Sequence, residues 1–319
     1  MTVRLILMTA VFLFAMLPSF AQAVTEGAGM PAMADAQVTV RFDAPLQGAA
    51  REVLRIYPAV RSELLKELGW ETASKPETTQ IVLLKDHASF RKISGSDLVT
   101  ALAIPREDLI LIDYSKMGTH PFTLEVTLKH ELCHLELHRA ISAERLPRWL
   151  DEGICQWVTG GFGEIISDGS RSGLREAVLS KRLVSIEGLE ARFTSDGKDL
   201  ILAYEESKSI IDFIKKKFGI SDLRKILEQM RIGDDLDTAV RKALSISLDE
   251  LEKQWRASLS PGSAWLFYLR DYLYELLFLA AALLTICGFF RVLKKKRDYK
   301  DDEEEGEGDS GKDDGDEGQ

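Results

Sequence analysis

The stretch that decides the fold is Thr127-Leu-Lys-His-Glu-Leu-Cys-His-Leu-Glu-Leu-His138. It contains His130-Glu131-x-x-His134, an H-E-x-x-H motif, inside a helical pattern that runs from Phe122 to His138. Side chains four residues apart lie on one face of a helix, so the two imidazoles can converge on one metal ion. Glu131 projects beside that face, where it can reach a water molecule on the metal. The motif therefore predicts a metal site on a helix.

A third ligand is needed, because a catalytic zinc site combines three protein ligands with an open position. Pro147 breaks the preceding segment, and a second helix is predicted to begin near Trp149 and to include Val158. Glu152 lies 18 positions after His134, which is far enough for the second helix to return antiparallel. Glu152 is the candidate ligand, and Asp151 beside it is the alternative.

His138 lies four residues after His134 and is a further candidate. Three histidines at successive four-residue steps spread along a helix axis instead of meeting at one point. His138 is therefore expected at the end of the helix or as a hydrogen-bonding partner of the site.

The two motifs together, His130-Glu131-x-x-His134 and Trp149-Leu-Asp-Glu-Gly153, resemble the gluzincin metallopeptidases, and among them the peptidase MA-like family. The resemblance covers about Leu98 to Gly219 and includes Tyr204-x-x-Ser207. It implies a Zn²⁺ site made of His130, His134 and Glu152, which favours Glu152 over Asp151. It also implies that Glu131 is the general base in the hydrolysis of a peptide bond.

The same resemblance implies roles for residues outside the two motifs. Tyr204 is the candidate that stabilises the developing oxyanion, and His120 is a weaker one. Gln156 stands where the family often has an acidic residue, and it is expected to hydrogen-bond a histidine. A peptide substrate is expected to bind as an added strand at a sheet edge near Ala101 to Tyr114.

Strand patterns precede helical patterns along the chain. Strands are predicted over Gln37–Phe42, Thr79–Leu84, Leu98–Ile104 and Asp108–Tyr114. Helical spacing of apolar residues is found at Leu46–Leu68, Leu200–Phe218, Ser221–Met230, Leu236–Leu244 and Leu248–Ser258, besides the two motif helices. This order predicts one α+β domain over residues 35–261, with a small mixed sheet and a helical half, zincin-like by the resemblance. Residues 24–34 are expected to be a flexible lead-in.

Both ends of the chain carry targeting patterns. Arg4, an apolar stretch from Leu5 to Leu17, and Ala21-Gln22-Ala23 have the layout of a signal peptide over residues 1–23, with an uncleaved anchor as the alternative. Residues 272–290 are apolar enough to predict a transmembrane helix, and the basic cluster Arg291–Arg297 follows them. These patterns predict a single-pass membrane protein whose N-terminal domain is extracytoplasmic (periplasmic in a bacterium).

The net charge of −10 comes from the C-terminal tail. Residues 298–319 contain 12 acidic and 2 basic residues, which accounts for the net charge of the whole chain. This tail is expected to be cytoplasmic and disordered, because it has almost no apolar residues. The chain also lacks the clustered basic surface that nucleic-acid binding requires.

Two function classes remain for the domain. Its partner is a peptide or protein substrate if it is a membrane-anchored zinc metallopeptidase. In the alternative, it is a zinc-binding but inactive domain that recognises peptides. The intact Glu131 favours hydrolysis, and a domain without metal is the third choice. Cys133 and Cys155 form either a disulfide or two buried thiols.

Overall fold

The computed structural model describes residues 29–71, 78–95, 99–118, 123–160, 173–194, 197–259 and 277–292. The pattern of spatial contacts between residues divides the chain into two units, Met1–Ser258 and Leu259–Gln319. The predicted signal peptide, His120, the basic residues after position 292 and the acidic tail lie outside the described residues.

A five-stranded mixed sheet forms the first part of unit 1. Its strands are β1 (Ala32–Ala34), β2 (Val38–Phe42), β3 (Thr79–Leu84), β4 (Ala101–Ile104) and β5 (Leu109–Asp113). Their order in the sheet is β1-β2-β3-β5-β4. Strands β2, β3 and β5 are parallel, whereas β1 and β4 pair antiparallel at the two ends. Strand β4 is thus an end strand of the sheet.

Ten helices of unit 1 are described. They are α1 (Gln47–Leu68), α2 (His87–Ser94), α3 (Leu124–Ala140), α4 (Arg148–Val158), α5 (Gly173–Leu179), α6 (Leu189–Arg192), α7 (Lys198–Lys217), α8 (Ile220–Arg231), α9 (Leu236–Leu244) and α10 (Leu248–Ser258). Short 3-10 helices occupy Ala44–Leu46, Pro105–Glu107 and Tyr114–Lys116. The structure confirms the α+β class, with a small sheet followed by a helical half.

The sheet core explains why β3 and β5 read as apolar runs. Every residue of β5 is buried, from Leu109 to Asp113. Alternate residues point to opposite faces, and one face packs Val82 and Leu111 against Phe90 of α2. A strand covered on both faces needs apolar residues at every position, so the strand pattern is continuous instead of alternating.

Packing of three helices positions the motifs. Helix α3 contacts α1, α4 and β4, and α4 also packs along α7. At Gly153 in α4, a β-carbon would lie 2.6 Å from Ile211 Cγ1 and 2.9 Å from the backbone oxygen of Ser207. The glycine therefore allows the close approach of α4 to α7. This approach brings α7 side chains next to the W-x-x-E-G motif.

The structure corrects one prediction of local structure and adds three helices that the sequence did not predict. Residues 24–34 are not wholly a flexible lead-in, because Ala32–Ala34 form β1 and pair with β2. A three-residue edge strand is too short to show a strand pattern. Helix α2 was not predicted; it begins after Asp86, whose side chain accepts a hydrogen bond from the Ser89 amide. Helices α5 and α6 were not predicted either, and both are shorter than two and a half turns.

Unit 2 contains a helix over residues 277–292 whose side chains are exposed. In the described parts of the chain, no helix is both long and apolar enough to cross a membrane. The transmembrane helix predicted over residues 272–290 is therefore not confirmed, and residues 272–276 lie outside the described residues.

Candidate metal centre

The two motif histidines face each other on α3. Thr123 caps the start of this helix, and its side chain accepts a hydrogen bond from the Val126 amide. His130 is fully buried and His134 is 7% exposed, and their Nε2 atoms are 3.3 Å apart. Two nitrogens bound to one tetrahedral zinc ion at about 2.0–2.1 Å are roughly 3.3 Å apart. The pair therefore fits a shared zinc ion.

Glu152 reaches the same point from α4. Its Oε2 atom is 3.6 Å from His134 Nε2, and its side chain is buried. One ligand atom each from His130, His134 and Glu152 lies within 4.8 Å of the others. The structure thus brings together, on two helices that contact each other, the three residues that the sequence predicts as zinc ligands. Their donor set, two imidazoles and one carboxylate, matches catalytic zinc sites.

Asp151 hydrogen-bonds two histidines, His134 and His138, through its two carboxylate oxygens. Its Oδ1 lies 2.8 Å from His134 Nδ1, and its Oδ2 lies 3.0 Å from His138 Nε2. A carboxylate on Nδ1 fixes the tautomer that leaves Nε2 available to a metal. Asp151 also forms a second possible ligand group with His134 and Cys155, but the hydrogen bond to His134 already engages Oδ1. His138 accordingly contacts Asp151 and does not complete the His130–His134 pair.

The prediction that Gln156 hydrogen-bonds a histidine is wrong. Gln156 Nε2 donates a hydrogen bond to the backbone oxygen of Tyr204, at 3.1 Å, instead of contacting a histidine. Asp151 already occupies Nδ1 of His134, and Gln156 lies one helical turn further along α4 from Glu152, where it meets α7. Its hydrogen bond joins α4 to the helix that carries Tyr204.

The pKa values of the two histidines are shifted in opposite directions. Burial, together with the neighbouring His134, lowers the pKa of His130 well below its usual value. Burial also acts to lower the pKa of His134, but Asp151 and Glu152 outweigh it and raise that pKa well above the usual value. Burial acts to raise the pKa of Asp151, but His134 and His138 hold it below its usual range. The carboxylates thus make a buried position that favours a cation.

Glu131 is fully buried in α3 beside the histidine pair. Its negative charge is close enough to contribute to the raised pKa of His134. Besides Asp151 and Glu152, the motif therefore places a third carboxylate, which is not one of the three proposed ligands, at the edge of the centre.

Tyr204 joins the site from α7. Its hydroxyl donates a hydrogen bond of 3.0 Å to Glu152 Oε1, and its ring meets the Phe193 ring edge-on at 5.4 Å. The family resemblance implied that Tyr204 contacts the substrate, whereas in the structure its hydroxyl contacts Glu152. Arg148 was not predicted as part of the site. Its Nε lies 3.6 Å from Glu152 Oε1, and the signal was its position four residues before Glu152 on one helix.

The two cysteines near the site are free thiols in the structure. Cys133 and Cys155 are both fully buried. Cys155 Sγ lies 3.5 Å from His134 Nδ1, and burial raises the pKa of its thiol well above the usual value. Of the two alternatives left by the sequence, the structure has the buried thiols.

Strand β4 is the part of the predicted peptide-binding segment that lies at an edge. It pairs with β5 on one side and ends the sheet, whereas β5 is an interior strand. Helix α3 contacts β4, so this edge runs beside the helix with the histidine pair.

Comparison with known families agrees with this geometry. The model of the Peptidase MA superfamily matches residues 114–261. The match includes both motifs and all the helices from α3 to α10. A search of curated proteins found no match to this sequence. The resemblance to the peptidase MA-like family is thereby confirmed over this part of the chain.

Proposed function

Since residues 114–261 are peptidase MA-like, we propose that this protein is a zinc metallopeptidase that hydrolyses peptide bonds. The observation that carries the proposal is the buried cluster of His130, His134 and Glu152, with Glu131 beside it. The cluster combines the ligands for a metal with a separate carboxylate that can act as a base.

The protein residues have distinct tasks in this reaction. His130, His134 and Glu152 would hold Zn²⁺, and Asp151 orients His134 through Nδ1. When bound, Zn²⁺ supplies Lewis acidity, which makes a water molecule more acidic and polarises the peptide carbonyl. Glu131 accepts a proton from the attacking water and delivers it to the nitrogen of the leaving amine.

The substrate is proposed to bind as an extended peptide along β4. This strand is the end of the sheet beside α3, and its outer edge can pair with a peptide backbone. Such pairing recognises the backbone and would set the scissile bond in a defined register along the edge.

The location of the reaction is also a proposal, and it rests on the sequence patterns at the two ends. The signal-peptide pattern over residues 1–23 and the basic cluster after residue 290 support an extracytoplasmic domain with a cytoplasmic tail. Protease added to cells whose cytoplasmic membrane is intact, and whose outer membrane, if there is one, has been opened by osmotic shock, should then digest the domain and leave the tail protected. Digestion of the tail alone would overturn this topology.

The test of the activity is a peptide-library digestion by the wild type and by Glu131→Gln, together with zinc analysis of both proteins. Both should bind about one zinc ion per chain, because Glu131 is not a proposed ligand. Loss of the base should lower the hydrolysis rate by about 10²–10⁴-fold. Glu125→Gln is the matched control, since Glu125 is an exposed carboxylate on the same helix, and it should keep the wild-type rate.

Two outcomes oppose the proposed activity. Unchanged hydrolysis by Glu131→Gln would show that another group acts as the base. Zinc binding by the wild type without hydrolysis, but with saturable binding of library peptides, would support the inactive peptide-recognition domain instead.

A further inference from the structure

The two carboxylate oxygens of Glu152 have different surroundings. Oε2 faces the histidine pair, at 3.6 Å from His134 Nε2. Oε1 accepts a hydrogen bond from the Tyr204 hydroxyl at 3.0 Å and lies 3.6 Å from Arg148 Nε. We propose that Arg148 and Tyr204 are positioning residues that hold Oε1, so that Glu152 presents Oε2 alone to the metal. This inference rests on the proposed zinc site.

Arg148 is anchored by contacts with α6 and with Phe193, the residue that follows this helix. Its guanidinium lies 4.8 Å from the centre of the Phe193 ring, and its Nη1 donates a hydrogen bond to the backbone oxygen of Phe193. Its backbone amide donates to Glu190 Oε2 at 3.3 Å. A guanidinium stacked on an aromatic ring samples fewer orientations than a solvated one. It therefore loses less conformational entropy when it pairs with Glu152.

Tyr204 is anchored by the same ring. Phe193 is 4% exposed, and its ring meets the Tyr204 ring edge-on, with 68° between their planes. Phe193 therefore contacts both residues that hold Oε1. One buried ring thus links the first turn of α4 to the middle of α7.

Holding one oxygen has a chemical consequence for the metal. A carboxylate with both oxygens available can bind an ion through both of them, which takes up another coordination position. A catalytic zinc ion needs an open position for water and substrate. The hydrogen bond from Tyr204 and the nearby charge of Arg148 also offset part of the negative charge on Oε1, and such partners of ligating carboxylates tune metal affinity.

The same geometry gives Tyr204 a role different from the one that the family resemblance implies. Its hydroxyl has one proton, and that proton is directed at Glu152 Oε1. A hydroxyl that donates to a ligand cannot at the same time donate to a developing oxyanion. The two roles differ in their predictions for Tyr204→Phe, because only the positioning role predicts a loss of metal affinity.

The experiment compares Tyr204→Phe, Arg148→Met and Arg148→Lys in the full chain. Metal affinity is measured by competition with a chelator, and the site geometry by the visible spectrum of the Co²⁺-substituted protein. We expect Tyr204→Phe and Arg148→Met to weaken zinc binding by about 10–100-fold and to change the Co²⁺ spectrum. Arg148→Lys should restore part of the affinity, because it keeps the positive charge beside Oε1.

Matched controls separate this role from general damage to the fold. Tyr204→Phe removes one oxygen atom and keeps the ring against Phe193, so the packing of the variant is preserved. Arg145→Met removes a positive charge just before α4, where the side chain donates to the backbone oxygen of Gly233. This control should keep the zinc affinity and the Co²⁺ spectrum of the wild type.

Two results would overturn the inference. In the first, Tyr204→Phe binds zinc with wild-type affinity and gives an unchanged Co²⁺ spectrum, which shows that the hydroxyl does not position Glu152 for the metal. In the second, Arg148→Met and Arg145→Met are indistinguishable in metal affinity. Neither result requires hydrolysis to be observed, so a wild type that binds zinc without cleaving peptides still tests the positioning role.

Discussion

The sheet and the motif helix pair bury different kinds of side chain. In β5, Leu109 to Ile112 are aliphatic and at most 4% exposed. In α3 and α4, the buried residues include His130, Glu131, Glu136, Asp151 and Glu152. Buried aliphatic area stabilises the fold, whereas a buried charge costs several kcal/mol unless it is paired. We infer that burial in the sheet stabilises unit 1, whereas the buried polar residues of α3 and α4 lower its stability and form the proposed metal site.

This contrast makes a simple expectation for mutations. A change in the sheet core should lower the free energy of unfolding and leave the metal affinity of the folded protein intact. A change among the polar residues of α3 and α4 should lower the metal affinity first. The predictions below test where the boundary between the two regions lies.

The largest loss of stability is expected for Leu111→Ala. Leu111 is fully buried in a cluster with Val82, Leu84 and Phe90, so truncation leaves a cavity. We expect the free energy of unfolding to fall by about 2–5 kcal/mol, measured by urea denaturation. Leu179→Ala is the control, because this leucine is 49% exposed and should change stability by only about 0.5 kcal/mol. A loss of zinc affinity in folded Leu111→Ala would break the comparison.

A smaller effect that crosses the boundary is expected for Gly153→Ala. The new β-carbon would meet Ile211 Cγ1 at 2.6 Å and the Ser207 oxygen at 2.9 Å. A side chain can rotate away, but a backbone oxygen on a packed helix cannot, so α4 and α7 must separate. We expect about 1–3 kcal/mol of destabilisation in thermal or urea unfolding, together with weaker zinc binding, because Glu152 lies next to the glycine.

The control for that variant is Gly48→Ala. Gly48 lies in α1, and a β-carbon there would have no atom within 4 Å apart from its chain neighbours and the backbone of its own helix. Alanine is the better helix former, so this variant should be as stable as the wild type or up to about 1 kcal/mol more stable. If both variants behave alike, the close approach of α4 and α7 does not constrain the site.

Much of the fold and the site could be predicted from the sequence, because the relevant patterns are local. The helical period of apolar residues predicts α9 and α10 with their observed ends, and a continuous apolar run predicts β3. The H-E-x-x-H spacing needs only a helix to bring His130 and His134 together. The position of Glu152 required the second helix to return, which Pro147 and the spacing indicate.

The parts that the sequence could not provide depend on contacts between distant segments. Tyr204 lies 52 residues after Glu152, and no local pattern says that its hydroxyl points to Oε1. Phe193 lies just after a four-residue helix, α6, which is too short to show a period. The roles of Asp151 and Gln156 were hard to predict because neighbouring positions on α4 face α3 and α7 in turn, and only the packing decides which.

The final prediction concerns Asp151→Asn, the change expected to affect the metal most selectively. The amide still fits between His134 and His138 but no longer carries the charge that stabilises the Nδ1 proton of His134. Zinc affinity should fall by about 10–100-fold in chelator competition, with little change in the fold. Glu136→Gln is the matched control on α3. Glu136 is an equally buried carboxylate, but its partners are Arg61 and Arg139 instead of the histidines. The control should lower the free energy of unfolding and keep the zinc affinity, since its charge stabilises the packing of α3. If the two variants lose zinc equally, the metal centre responds to any buried charge in α3 and α4, and Asp151 has no specific role in orienting His134.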